Sequence, residues 1–297
     1  MKTKSLKPLR ICFDRILPRD MSVPKVRRSA LPEIDPDASD VVISPRRMAL
    51  INSRRWEPGF ELRCRFLDGS KKQKAGVIKH AEKWMQYANI KLKFVDAGEA
   101  QVRIAFKWGE GSWSAVGRDA LDATYFPAKS PTMNYGWLED DSDDETYQSV
   151  VLHEFGHAIG CVHEHQSPSM KLDWNVDAVY EAFSGPPNNW SKAEIDSNIL
   201  QKYTAKGMSN TIFDPKSIML YQFDEALFNS GSGTNENIVL SKLDKQMIGE
   251  MYPPVPAKKT AAKKTVKKAG VRRTAVPAKK VPSAPPAPAS SRRRSAV

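Results

Sequence analysis

Four of the chain's five histidines fall within thirteen residues, and three of them stand in one run, His153-Glu154-Phe155-Gly156-His157-Ala158-Ile159-Gly160-Cys161-Val162-His163. No other feature constrains the fold as tightly, because it commits a helix, a turn and a cluster of imidazoles to one place. His153 and His157 are four residues apart. On an α-helix that is about 6 Å of rise and just over one turn, so both rings leave the same face. Gly160 sits three residues further on, where a positive φ ends a helix and reverses the chain without the cost of a Cβ. His163 then returns from outside the helix. Zinc takes imidazole nitrogens at roughly 2.0–2.1 Å, and a catalytic zinc keeps three protein ligands and one open position. Glu154 follows the first ligand directly and points beside the metal, where a carboxylate can take a proton from water. A histidine pair with an intervening Glu is a moderate signal. The added Gly and third His make it strong. The expectation is one catalytic Zn2+ on His153, His157 and His163, with Glu154 as general base.

At these residues the chain resembles the metzincin zinc endopeptidases. Ser217-Ile218-Met219-Leu220-Tyr221, with Met219 lying 56 residues past His163, is similar to their Met-containing turn. The Ser-x-Met-x-Tyr form resembles the astacin branch. The stretch from about Trp56 to Tyr252 is similar to bacterial astacin-like metallopeptidases, and Glu164-His165-Gln166-Ser167-Pro168 adds to the likeness. The resemblance implies an α+β fold: a metzincin-type catalytic domain with a twisted mixed sheet, an active-site helix and a Met-turn. It implies a zinc-dependent endopeptidase acting on peptides or proteins. Tyr221 would be a weak fifth metal ligand and a hydrogen-bond donor to the transition state, and Met219 an apolar floor. Glu164 matches, by position, a residue that helps anchor a mature N-terminus. The chain departs from the family's pattern by having Gln166-Ser167-Pro168 where astacins carry Arg and Asp, and by showing no evident cysteine pairs. His165 reads as a rim histidine.

Composition divides the chain into three parts. Residues 1–50 scatter Pro and charge with little periodicity and read as a leader or loosely packed arm. Residues 51–255 are enough to bury a core without staples. Residues 256–297 read as a disordered tail of Lys pairs, Arg clusters, Ala and Pro. From Ala257 on there are 13 Lys/Arg and no Asp/Glu, leaving 33 basic and 34 acidic residues elsewhere, so the formal charge of +12 belongs to the tail. Cys12, Cys64 and Cys161 are too few and odd in number for a disulfide scaffold. Three histidines already fill a ligand set, so Cys161 reads as packing. Cys12 could cap the metal as a latency thiolate, but only its position in the leader speaks for that. The basic first residues are not followed by an apolar run, which argues against a conventional signal peptide. The compartment then reads as cytoplasmic or reached by a non-conventional export route. No 18-residue apolar stretch exists to span a membrane. No self-pairing helix is evident, so the expected state is a monomer.

Periodicity places strands at 61–66, 91–95 and 102–106, a helix over 71–87, and further strands near 124–126 and 132–137. The 132–137 segment borders the cleft by resemblance or is an interior strand. The acidic run 139–145 caps the histidine helix through a Ser142–Glu145 box; calcium is the lesser alternative, because EF-hand spacing is absent. Residues 173–203 read as broken helix, and 241–251 as a final helix.

Two other functions fit the residues less well. One is a polyanion-binding protein with a metalloprotease-like scaffold, the other a non-peptidase zinc hydrolase. A segment this basic binds nucleic acid and other polyanions through counterion release, without reading sequence. If the tail is the binding element, deleting 257–297 abolishes retention on heparin at low salt, and unchanged retention removes that role.

Overall fold

The chain lays a mixed sheet against two helices, one of which carries the histidines. The computed structural model describes residues 12–15, 50–51, 54–167, 169–185, 188–202, 208–209, 213–230 and 232–254. The basic tail and its expected disorder, and most of the arm before residue 50, lie outside the described residues. Among them no helix is long and apolar enough to cross a membrane.

Strands β3 (Glu61–Phe66), β4 (Lys91–Phe94), β5 (Val102–Ala105) and β7 (Met133–Tyr135) run parallel in the order β7-β5-β3-β4. β6 (Ser112–Ala115) pairs antiparallel with β7, and β1 (Phe13–Arg15) lies parallel to β6 at the sheet edge. A second, two-stranded sheet pairs β2 (Leu50–Ile51) with β8 (Met208–Ser209). The α+β architecture is the expected one, with three differences in detail. Thr124–Phe126 is turn, not strand. β6, unforeseen, is buried at all four positions, so its Ser-Trp-Ser-Ala alternation carries no solvent-facing signature. β1 falls in the arm that shows no period.

Helix α1 (Lys71–Ala81) begins with a Ser70–Gln73 capping box and runs on as a 3-10 turn over Glu82–Gln86. Helix α2 (Asp144–Ala158) is capped by Asp143, whose side chain accepts from Thr146 N at 2.7 Å. The cap is therefore one residue later than the Ser142 box; Ser142 Oγ instead accepts from Glu139 N at 3.0 Å. The two helices and the sheet enclose one core that includes Leu62, Trp84, Ile104, Met133, Phe155, Met219 and Ile248. A second core forms after the histidines, around α3 (Val176–Ser184), α4 (Lys192–Ile195) and a π turn at Asp196–Leu200. Phe183, Trp190, Ile199 and Phe223 fill it, and Cys12 and Tyr221 border it.

The end of α2 is closed by a backbone cap at Gly160, with Gly160 N donating to His157 O at 2.8 Å and Cys161 N to Gly156 O at 2.9 Å, and by two rings. Trp56 Nε1 donates to Ala158 O at 2.8 Å, and Tyr252 Oη donates to Ile159 O at 2.6 Å. These carbonyls belong to the helix's last turn and would otherwise be orphaned. The last helix, α5 (Lys242–Met251), holds the Met-turn in place. Asp244, 1% exposed, accepts from Ser217 Oγ at 2.8 Å, Ile218 N at 2.9 Å and Ser241 N at 2.9 Å. Burial pushes its carboxyl pKa up, against the pull of those donors. Asp244→Ala strands the Ser217 hydroxyl and the Ile218 amide in the core. The expected cost is about 2–4 kcal/mol, read as a lower urea midpoint at unchanged slope. An unchanged midpoint would show that the Met-turn stands without α5.

Candidate metal centre

The three histidines reach one point from two elements. His153 and His157 sit on the last two turns of α2; Gly160, at φ +103°, ends that helix and lets His163 come back beside them. Their Nε2 atoms lie 3.1 Å (153–157), 3.2 Å (153–163) and 3.2 Å (157–163) apart. Two of the rings have their tautomer set by a carbonyl, which can only accept. His153 Nδ1 donates to Ile218 O at 2.7 Å, and His157 Nδ1 donates to Cys161 O at 2.9 Å. That leaves both Nε2 lone pairs unprotonated and aimed at the common point. Convergent lone pairs repel one another in the absence of a cation and are what a cation needs. Four ligands at zinc distance stand roughly 3.3 Å apart on a tetrahedron, so the nitrogen triangle fits zinc.

A fourth donor is present. Cys12 Sγ lies 3.9 Å from His163 Nε2, and the four ligand atoms of Cys12, His153, His157 and His163 all fall within 4.8 Å of one another. This placement differs from the reading of Cys12 as a leader residue with only its position to support a metal role. The cause is the pairing of β1 with β6, in register Phe13 with Trp113 and Arg15 with Ala115, which carries the preceding residue over the histidines. Cys161 remains packing, 0% exposed, and the group that acts is its backbone carbonyl.

Glu154 is 1% exposed and lines the cavity beside the histidines. Tyr221 Oη donates to Cys12 O at 2.5 Å. The hydroxyl has one proton, so a lone pair remains for the side where it contacts His163 Nε2. Met219 lies under α2 with no exposed surface; a Cβ on Gly156 would collide with its sulfur, so the glycine permits the close approach of helix and Met-turn at that point. Glu164 N donates to Met219 O at 2.9 Å, and its carboxylate accepts from Asp214 N at 3.1 Å, so this residue ties the third ligand's loop to the turn.

His165 corrects a second expectation. It is 1% exposed, not on the rim, and its ring lies 5.2 Å from that of His163 and 4.9 Å from that of Tyr221. Its Nε2 donates to Asn198 O at 3.0 Å, a carbonyl of the π turn. No periodicity in 173–203 announces that contact. The 132–137 segment is interior as a strand, since β7 has neighbours on both sides, and only Trp137 past its end lines the cavity. Beyond β7 the sheet continues through β6 to β1 of the arm.

The family model for Astacin, a family of peptidases, matches residues 49–253. A solved structure of myroilysin is 36% identical, covers 70% of this chain and 100% of its own, and superposes at a TM-score of 0.67. A crystal structure of myroilysin is also 36% identical, covering 68% of this chain and 87% of its own at a TM-score of 0.55. No curated protein matches the sequence.

Proposed function

The chain belongs to the astacin family of peptidases and is a zinc metalloendopeptidase; on that premise we propose that Glu154 is its general base, Tyr221 its oxyanion donor and Cys12 its latency ligand. His153, His157 and His163 would hold the metal. Zinc, when bound, supplies Lewis acidity to water and to a carbonyl. The observation that carries the reading is the buried Glu154, next in the chain to His153 of three convergent Nε2 atoms and in the lining of a cavity. Its carboxylate takes a proton from the attacking water and returns it to the leaving amine nitrogen. Tyr221 Oη donates to the oxygen of the tetrahedral carbon. Support comes from the bond it already makes to a backbone carbonyl in the cleft, that of Cys12. A scaffold that only bound polyanions would have no use for a buried carboxylate at this place. Polyanion binding by residues 256–297 is a separate property that we propose alongside peptidase activity.

Latency follows from counting ligands. A catalytic zinc keeps one position open, whereas four protein ligands close the site. With Cys12 as fourth donor and residues 13–15 paired to β6, the water position and the strand edge are both taken by the chain's own arm. Peptide substrates commonly bind by adding a strand to such an edge.

Glu154→Gln placed in the Cys12→Ser chain is expected to keep one zinc per chain and to lose casein cleavage by at least about 100-fold relative to Cys12→Ser alone; cleavage at the Cys12→Ser rate would remove Glu154 as the base. Cys12→Ser in the full-length chain is expected to keep zinc and raise cleavage. In the zinc-loaded parent, alkylation of Cys12 is expected to be slowed relative to the zinc-free protein. Equal cleavage by parent and Cys12→Ser, with equal alkylation rates, would show that Cys12 does not cap the metal.

A further inference from the structure

Beside the histidines lies a cavity of about 300 Å³. One wall is a single face of α2, Thr146, Ser149 and Val150, a turn or two before His153. Ile218 and Leu220 of the Met-turn supply an apolar side, and Glu236 belongs to the lining as well. No lysine or arginine lines the cavity, so its fixed charges are the carboxylates of Glu154 and Glu236. Glu154 is taken up by the reaction. Glu236 is exposed and makes no ion pair among the described residues.

The strand of chain that presents Glu236 is fixed on both sides of it. Thr234 N donates to Phe223 O at 2.9 Å, and Phe223 N donates to Thr234 Oγ1 at 2.7 Å. Asn237 Nδ2 donates to Ser217 O at 2.9 Å and Pro215 O at 3.1 Å. Gln148 Nε2, on α2, donates to Ile238 O at 2.7 Å. The segment is thus pinned to α2 and to the Met-turn, and the carboxylate is offered from a held backbone rather than from a loose loop.

We propose that this cavity is the subsite for a basic residue flanking the scissile bond, with Glu236 as its specificity-determining carboxylate. A volume at the small end for ligand sites suits one long side chain. The methylenes of Lys or Arg lie along Val150, Ile218 and Leu220, and the cationic head meets Glu236. An acidic side chain would meet the Glu236 carboxylate instead, so rejection adds to selection. Glu236 is solvent-exposed, so the preference is modest: about fivefold in kcat/KM for Lys over an uncharged isostere. The inference rests on the peptidase reading and adds the substrate class to it.

Cys12 also lines the cavity, so the test uses the full-length Cys12→Ser protein with zinc, alone and combined with Glu236→Gln or Glu236→Lys. Two readouts are taken: termini of cleaved peptides from a mixed library by mass spectrometry, and binding of acetyl-lysine amide against acetyl-norleucine amide by ligand-detected NMR. Expected are Lys and Arg enriched at one residue beside the cut, loss of about fivefold in the Lys/norleucine ratio with Glu236→Gln, and a swing toward Asp and Glu with Glu236→Lys. A Lys/norleucine ratio unchanged by Glu236→Gln in both readouts overturns the proposal. Lysine-amide binding lost in Glu236→Gln without cleavage by any variant would keep the pocket and remove the peptidase reading. Neither cleavage nor a binding preference would remove both.

Discussion

Two hydrogen bonds from histidine to backbone carbonyl organise the rest of this structure. A carbonyl cannot donate, so Ile218 O and Cys161 O each force a proton onto Nδ1 of the ring they face, and the Nε2 atoms of His153 and His157 are left unprotonated with free lone pairs. One of those carbonyls belongs to the Met-turn and the other to the loop that leads to His163. The same contacts that set the tautomers therefore also fix where both segments lie. Asp244 repeats the pattern one layer out, holding Ser217 and Ile218 from α5. The centre depends on a chain of contacts from the last helix to the first ligand, which is why residues far apart in sequence carry one property.

The arm adds a constraint of a different kind. Three residues of backbone pairing put Cys12 at the histidines and its carbonyl on the Tyr221 hydroxyl. The thiol and the carbonyl stand where a water and a substrate carbonyl would be wanted. An enzyme that carries its own occupant in the cleft needs only weak local binding for it, because the effective concentration of a tethered segment is high. Under the proposed latency, removal of the occupant would expose a site whose histidines, Glu154 and Met-turn are already arranged by the core.

Much of the centre is legible without any knowledge of the fold. The four-residue interval reads as one helix face, Gly160 as a turn, and the Ser-Ile-Met-Leu-Tyr run as the segment beneath, because each rests on short-range geometry. The misplacements share one cause, the lack of a local signal. The Ser142 box and the actual Asp143 cap differ by one residue, since Ser, Asp and Glu crowd together and several can cap. β6 lacks an exposed face, so alternation cannot mark it. His165 reads as a rim residue because nothing in its neighbours announces the π turn at Asn198 that buries it. Cys12 sits in a segment without period, and only its partner strand explains it.

The sequence by itself determined that three histidines and a glutamate gather at one helix end above the Met-turn, because those placements are written within one helix, one turn and one pentapeptide. Only the tertiary structure decided which carbonyls orient the rings, that the arm's thiol joins them, and that Glu236 shares a cavity with Glu154. Those are long-range pairings, up to 209 residues apart for Tyr221 and Cys12, and no local periodicity encodes them. They follow from which surfaces the core brings together.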